Sequence, residues 1–277
     1  MKRLILLAAV AAIELSYATS LQAQTGGQTP PPIGGGYTDA IAIPVNDPAV
    51  KAISGALFKP TGAGPFPAVV YMIGCGGIDP PPLRAQQRAA IDHLLDKSVA
   101  ILIVDSFTPR NEPNGVCANT SGEKGMQYAT RGSNDALAAV AVLKGMPEID
   151  AKHIFLMGFS LGSISSLLAT DSKNAASHDP AVAGVIAYYP FCYDGVNPSV
   201  PVLVMIGEKD DWTPAAKCEA VTGKTNFEVV VYPGATHVFN TPSEKPRDVL
   251  GHHLVYDEKA TQDAQRRADA FMAAHTK

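Results

Sequence analysis

The residues best suited to covalent chemistry lie in the segment "LMGFSLGS", where Gly158, Ser160 and Gly162 have the spacing G-x-S-x-G. The segment follows a short apolar run and opens a stretch with helical spacing. This context predicts a sharp strand-to-helix turn, on which the serine is exposed as a nucleophile and its neighbours must be small. The alternative is an ordinary helix start, in which Ser160 or Ser163 only caps the helix.

A serine hydroxyl is a weak nucleophile at neutral pH, so it needs a base and an acid that orients the base. Asp210 and Asp211 follow a later apolar run in "IGEKDDWTP", and His237 follows the next run in "YPGATHVFN". The chain order Ser, Asp, His is one in which such triads occur. We therefore predict that His237 is the base of Ser160. Either aspartate could orient it, and the other would then be a turn or helix-capping residue.

His237 has rivals in His252 and His253, which lie in the polar stretch "RDVLGHHLVYDE". Adjacent residues on a strand point to opposite faces, so both cannot serve one site, and we interpret the pair as surface residues. The other histidines lie away from the predicted strand ends and are interpreted as solvated or capping residues: His93, His153, His178 and His275.

Apolar runs alternate with helical stretches from about residue 40 onward, and these elements must position the candidate residues. Most runs are continuous, which is typical of strands covered on both faces. Strands are predicted at 66–74, 99–107, 153–160, 182–191, 200–208 and 227–234, helices at 83–98, 131–146, 161–172, 213–223 and 257–275, and an antiparallel ribbon at 37–58. The pattern predicts a mostly parallel sheet with helices on both faces and a site at the carboxyl ends of its strands.

The composition is that of an ordinary globular protein, with 277 residues, 46% hydrophobic and 17% charged. The net charge is −4 and no basic residues cluster, which argues against nucleic acid as a partner. No C-x-x-C spacing occurs, so a zinc site has no support. We expect a small-molecule substrate, no metal and no cofactor.

The N-terminus has the layout of a secretory signal peptide over residues 1–23, with cleavage after Ala18 or Ala23. An uncleaved anchor is the alternative, but the apolar stretch is shorter than the roughly 20 residues of a membrane span. We predict a secreted or periplasmic protein without stable membrane insertion. Residues 24–36 are Gly/Pro-rich and predicted to be a flexible linker, and 37–277 a single domain.

Export would place the cysteines in an oxidising compartment, where two disulfides are the default and three pairings are possible. The four cysteines are Cys75, Cys117, Cys192 and Cys218. Cys75 is unusual because it lies between glycines in "IGCGGI". It could be a half-cystine, a nucleophile or simply a residue at a tight turn.

Six stretches together resemble the α/β-hydrolase superfamily and, within it, the dienelactone hydrolase family: "GCGGI", "VDSFTPR", "GFSLGS", "YYPFC", "GEKDDWTP" and "GATHVF". The resemblance covers roughly residues 50–275. It implies a three-layer α/β-hydrolase sandwich and the hydrolysis of carboxylic esters, lactones included, through an acyl-enzyme. The family pattern G-x-x-D fits Gly207 to Asp210 and so favours Asp210 over Asp211.

The resemblance also implies that backbone N–H groups of Leu161 and Cys75 form the oxyanion hole. Many relatives have a histidine where this chain has Ile73. The dienelactone hydrolases that give the family its name use a cysteine nucleophile, whereas this chain has Ser160. That difference favours general ester hydrolysis over dienelactone itself.

The resemblance also assigns roles to further residues. Arg110 resembles an arginine that binds a substrate carboxylate in some members, the alternative being a loop arginine paired with a surface acid. Trp212 is predicted to contact substrate, and aromatics after strand ends could line the pocket or pack in the core: Tyr188, Tyr189, Phe191 and Phe239. In this fold we predict the disulfides Cys75–Cys117 and Cys192–Cys218.

Other functions remain open from the sequence. The same triad could serve a peptidase or a thioesterase, although no inserted lid or second domain is visible. The fold could also be that of a non-catalytic binding protein, or Cys75 could be the nucleophile.

Overall fold

Eight strands form one sheet through the centre of the molecule. The computed structural model describes residues 39–78, 81–174, 182–224 and 226–276. The strands are β1 (Asp39–Pro44), β2 (Ala52–Phe58), β3 (Phe66–Met72), β4 (Ala100–Asp105), β5 (Ile149–Phe159), β6 (Val182–Tyr188), β7 (Val202–Gly207) and β8 (Phe227–Tyr232). Their order is β1-β2-β4-β3-β5-β6-β7-β8. The predicted signal peptide and linker lie outside the described residues.

The sheet is antiparallel at one edge and parallel elsewhere. β1 pairs with β2 and β2 with β4 in antiparallel fashion. From β4 onward, each pair of neighbouring strands is parallel: β4 with β3, β3 with β5, β5 with β6, β6 with β7 and β7 with β8. The predicted opening ribbon and mostly parallel sheet are therefore confirmed. Every residue of β4 and of β7 is buried, as expected where helices cover both faces of a parallel sheet.

Helices cover the sheet on both sides. They are α1 (Pro81–Asp96), α2 (Gly122–Lys144), α3 (Leu161–Ala169), α4 (Ala215–Glu219) and α5 (Glu258–Ala274). The ring of Phe155 on β5 lies 6.4 Å from that of Phe271 on α5, whereas Gly158 abuts the start of α3 at Gly162. Because side chains alternate along a strand, α3 and α5 lie on opposite faces. Judged by length and hydropathy, none of the helices within the described ranges qualifies as a transmembrane segment.

Two helices differ clearly from the sequence expectation in their bounds, and one hairpin was not expected. Helix α2 begins at Gly122 rather than near residue 131, although the glycines of its first turns have low helix propensity; Gly125 is buried there, where a Cβ would lie 2.0 Å from the carbonyl oxygen of Thr120. Helix α4 has only five residues. A short hairpin of β9 (Arg247–Val249) and β10 (His252–Leu254) occupies a stretch that looked like a polar loop.

Candidate active site

Ser160 stands at the junction of β5 and α3 with φ 52° and ψ −116°. Residues other than glycine rarely adopt this region, and it stores strain that the surrounding structure must support. The N–H of Ser160 donates to the carbonyl oxygen of Tyr188 at 3.0 Å. The turn also requires a small neighbour, since a Cβ on Gly162 would lie 2.2 Å from the carbonyl oxygen of Met72. The G-x-S-x-G spacing thus corresponds to the predicted strand-to-helix turn.

Two hydrogen bonds connect Ser160, His237 and Asp210. Nε2 of His237 lies 3.0 Å from Oγ of Ser160, and Nδ1 lies 2.7 Å from Oδ2 of Asp210. His237 and Asp210 are buried, while Ser160 borders a cavity. With the Nδ1 proton directed at the carboxylate, Nε2 is left as the acceptor for the serine proton. The arrangement can therefore activate the hydroxyl as a nucleophile.

The carboxylate of Asp210 is held by four donors. Oδ1 accepts the N–H groups of Trp212 (3.0 Å) and Thr213 (2.7 Å), and Oδ2 accepts His237 and the hydroxyl of Thr213 (2.9 Å). The Thr213 hydroxyl is also 3.1 Å from the carbonyl oxygen of Tyr189. Sequence reasoning missed Thr213, whose position three residues after an aspartate suggested only a helix start. Such a fully hydrogen-bonded carboxylate keeps a fixed orientation toward the imidazole.

The neighbouring aspartate and the two rival histidines lie elsewhere. Asp211 contacts Nδ1 of His252 at 3.0 Å, and His253 contacts Asp248 at 2.9 Å. Both pairs are partly or largely exposed. Of the two adjacent aspartates, the structure brings only Asp210 to His237.

Leu161 and Cys75, the residues predicted to supply oxyanion donors, both lie near Ser160. Leu161 is the first residue of α3, so its N–H has no acceptor within the helix. Cys75 follows β3 in a turn that runs against the nucleophile, since a Cβ on Gly74 would lie 3.7 Å from Cβ of Ser160. Cys75 and Leu161 border the same cavity as Ser160. Both residues predicted to supply oxyanion donors therefore lie next to the nucleophile, as the prediction requires.

The turn at Cys75 is held without a histidine. Ile73, at the position where many relatives have that residue, is only 4% exposed and packs in the core. The carbonyl oxygen of Cys75 accepts the N–H of Val116 at 2.7 Å, and Gly77 donates to Gly74 at 3.3 Å. Backbone hydrogen bonds and a disulfide fix the turn instead.

Both predicted disulfides are confirmed. Cys75 is bonded to Cys117 and Cys192 to Cys218, and the described residues contain no free cysteine. The sulfur of Cys75 is therefore not available as a thiolate, which removes the alternative that it attacks the substrate.

Arg110 does not reach the cavity, and the expectation that it binds a substrate carboxylate is not supported. Its guanidinium is 3% exposed and forms two hydrogen bonds to Asp135, at 2.8 and 2.9 Å, and one to Asp47 at 2.9 Å. Burial alone would lower the pKa of Arg110, but hydrogen bonds and charges of Asp135 and Asp47 raise it above its usual value. The alternative of a surface acid was also incomplete, because Asp135 is buried. The arginine fixes the loop after β4 to α2.

A cavity of about 550 Å³ opens at Ser160, within the size range of small-molecule sites. Its lining consists of Cys75, Cys117, Ala118, Thr120, Ser121, Gly122, Gly125, Met126, Ser160, Leu161, Ile164, Phe191, Trp212, Thr213, Leu250 and His252. Trp212 therefore lies where a substrate could touch it. Its ring stacks on His252, with 4.3 Å between centroids.

Of the other predicted aromatics, Phe191 lines the cavity, whereas Tyr188, Tyr189 and Phe239 are buried in the core. The hydroxyl of Tyr189 bonds Asn240 and Gln86, both at 2.8 Å. Burial raises the pKa of Tyr189 well above its usual value, so the phenol stays neutral beside His237. In the ranges that the structure describes, no three His, Cys, Asp or Glu side chains are grouped so as to hold a metal ion.

Comparison with known proteins identifies relatives by sequence family and by fold. A search of curated proteins found no match. Among solved structures, the chain is similar to a dienelactone hydrolase-like promiscuous phosphotriesterase from metagenomic libraries, with TM-score 0.66, 19% identity and coverage of 87% of this chain and 99% of that one. It is also similar to a dienelactone hydrolase from Anabaena variabilis, with TM-score 0.62, 18% identity and coverage of 86% of this chain and 98% of that one.

The chain is also similar to a thermophilic esterase from the Planctomycetes species Thermogutta terrifontis, with TM-score 0.62, 16% identity and coverage of 89% of this chain and 97% of that one. At these identities the likeness establishes the α/β-hydrolase fold. The model of the dienelactone hydrolase family matches residues 53–276, which is most of the chain and includes all the residues of the site. The chain therefore belongs to the dienelactone hydrolase family, a family of hydrolases.

Proposed function

We propose that the protein is an exported serine carboxylesterase whose nucleophile is Ser160, whose base is His237 and whose orienting acid is Asp210. The observation that carries this proposal is the unbroken chain of hydrogen bonds from Oγ of Ser160 through the imidazole to Oδ2 of Asp210, at the floor of an open cavity.

In the first half-reaction, Oγ of Ser160 attacks the ester carbonyl carbon while its proton passes to Nε2 of His237. Asp210 stabilises the imidazolium that forms. The N–H groups of Leu161 and Cys75 hold the negative carbonyl oxygen of the tetrahedral intermediate. That intermediate collapses with cleavage of the C–O bond, and Nε2 gives its proton to the departing alcohol. Each oxyanion donor typically contributes about 10²–10³-fold to kcat.

In the second half-reaction, a water molecule replaces the alcohol. Nε2 of His237 takes one proton from the water, and the resulting hydroxide attacks the carbonyl carbon of the acyl-serine. The same two N–H groups hold the second oxyanion. The Ser160–acyl bond then breaks, the serine regains a proton from His237, and the carboxylic acid leaves. Water is the only co-reactant, so atoms and charge balance over the cycle.

Export is part of the proposal. Two disulfides are typical of proteins that fold in an oxidising compartment, and the pattern of residues 1–23 is that of a signal peptide. N-terminal sequencing of the protein from a secreting host should find a start after Ala18 or Ala23. A mature protein that still begins at Met1 would contradict export.

The catalytic assignment is tested by Ser160→Ala, with hydrolysis of p-nitrophenyl butyrate and labelling by a fluorophosphonate as readouts. We expect kcat/KM to fall by at least about 10⁴-fold and labelling to vanish. Ser166→Ala is the matched control, because it removes from the same helix a hydroxyl that donates to the carbonyl oxygen of Gly162 at 2.8 Å and does not line the cavity. Full activity of Ser160→Ala would refute the assignment.

The same assay separates the other activities that a triad of this kind could support. An acyl thioester and a peptide p-nitroanilide are offered beside the butyrate ester at equal concentration. The proposal requires the oxygen ester to have the highest kcat/KM after correction for the spontaneous hydrolysis rates. A non-catalytic binding protein would turn over none of them.

A further inference from the structure

The exposed large hydrophobic side chains of the described residues are concentrated at one place. They are Met126 and Phe191, each 37% exposed, and Leu250, 59% exposed. All three border the cavity that opens at Ser160. Single exposed hydrophobics need no explanation, but their convergence on the mouth of one cavity marks an apolar binding surface. We call these three residues the apolar rim.

Leu250 occupies its position against its local preference. It is the first of the two residues that connect β9 to β10, since Val249 pairs with His252. Both connecting residues have positive φ, 52° at Leu250 and 88° at Gly251. Such two-residue hairpin turns favour Asn or Gly at the first position, and a leucine there is strained. Neither turn geometry nor burial favours an exposed leucine at this tip, whereas contact with a ligand in the cavity would.

The wall next to the rim is aromatic and carries no net positive charge. Trp212 stacks on His252, with their ring planes 13° apart, and Nδ1 of His252 is bound to the carboxylate of Asp211. Among the residues that the structure describes, those lining the cavity include no Lys, Arg, Asp or Glu. Arg110, the cation that the sequence suggested for a substrate carboxylate, is buried and neutralised by two aspartates. A carboxylate in this cavity would lose water without gaining a cation.

We propose that the site selects uncharged esters in which the group inside the cavity is apolar and extends from Ser160 to the apolar rim. This proposal rests on the proposed function and deepens it by naming the substrate class. Each methylene added to the apolar chain of the substrate should raise kcat/KM about fourfold, because burying a methylene is favourable, until that chain reaches the rim. Anionic esters are disfavoured because the cavity leaves their charge unpaired.

Charge selection is tested with two pairs of esters that vary the acyl group or the alcohol group. The acyl pair is p-nitrophenyl 6-oxoheptanoate and p-nitrophenyl hemiadipate, which have the same chain ending in a methyl ketone or a carboxylate. The alcohol pair is methyl 4-acetoxybenzoate and 4-acetoxybenzoate. Each kcat/KM is divided by the rate constant for hydroxide-catalysed hydrolysis. We expect the neutral ester to exceed the anionic one by about 30-fold or more in at least one pair. A ratio below tenfold in both pairs overturns the proposal.

The apolar rim is tested by Leu250→Asn, with Met126→Gln as a second variant on a different element. Asn suits positive φ, so Leu250→Asn should raise Tm by about 1–3 °C while lowering the ratio of kcat/KM for p-nitrophenyl octanoate over acetate by about 3–10-fold. His253→Ala is the matched control, because it lies on the same hairpin but binds Asp248 outside the cavity. An unchanged ratio in both rim variants overturns the proposal.

Failure of this proposal is distinguishable from failure of the proposed function. If the wild-type protein hydrolyses no ester, or if Ser160→Ala retains hydrolysis, both proposals fall. If hydrolysis depends on Ser160 but lacks either charge selection or a chain-length effect of the rim, only the substrate class is overturned.

Discussion

The geometry of the nucleophile turn can be tested by adding one methyl group at Gly162. The alanine Cβ would lie 2.2 Å from the carbonyl oxygen of Met72 and 2.5 Å from that of Ile73. These are backbone atoms, so no side-chain rotation relieves the overlap. Ordinary contact begins near 3.4 Å, and either the end of β3 or the start of α3 must therefore move by about 1 Å.

That displacement acts directly on the proposed oxyanion hole. The carbonyl groups of Met72 and Ile73 lie just before Cys75, which would donate one N–H, and Gly162 lies just after Leu161, which would donate the other. Separating the two donors by about 1 Å should lower kcat/KM by about 10²-fold, because a misplacement of this size is known to have that effect on catalysis. Overpacking should also destabilise the fold by about 1–3 kcal/mol and lower Tm by roughly 2–10 °C.

The assay compares Gly162→Ala with Gly145→Ala by kcat/KM for p-nitrophenyl butyrate at 25 °C and by thermal unfolding. Gly145 caps α2, and its added Cβ would meet only the carbonyl oxygen of Val142, at 3.5 Å. The control should therefore keep its activity within about twofold. Near-complete activity of folded Gly162→Ala would refute the argument that these backbone contacts position the two donors.

Four further predictions follow from single contacts. Thr213→Val removes a hydroxyl that holds the orienting carboxylate and should lower kcat by about tenfold, whereas Thr213→Ser should restore most of it. Cys117→Ala should cost about 3–4 kcal/mol of stability and most of the activity, whereas Cys218→Ala, measured alongside it by the same two methods, should mainly lower stability. Arg110→Met leaves a buried carboxylate unpaired and should destabilise the fold by about 3–5 kcal/mol, seen as a lower denaturation midpoint, without raising KM for neutral esters. Asp47 has a pKa below its usual value, because a backbone N–H and then Arg110 donate to it. Its contribution to stability is therefore complete above pH of about 4 and is lost as pH falls through the lower folded-state pKa, so Asp47→Asn should flatten the acid limb of a Tm-against-pH curve.

The sequence by itself was sufficient to predict the family and the type of fold. Continuous apolar runs alternating with helical stretches specify a parallel sheet covered on both faces, because hydrophobic periodicity is a local property. The turn at Ser160 is likewise encoded locally, by the small residues beside it. Since the carboxyl ends of parallel strands meet at one edge, the order of Ser160, Asp210 and His237 was enough to predict that they converge, and the resemblance to the dienelactone hydrolase family is confirmed by the family match.

Only the tertiary structure decided which partners each of these side chains meets. It placed Asp210, which the family pattern had favoured, against His237, added Thr213 to the carboxylate, and paired Arg110 with Asp135 and Asp47 rather than directing it to the cavity. Apart from the Thr213–Asp210 contact, which spans three residues, these outcomes depend on contacts between residues far apart in the chain, whose geometry no local pattern encodes. The hairpin that carries Leu250 is the extreme case, because its turn residue contradicts local preference and borders a cavity that only the tertiary structure forms.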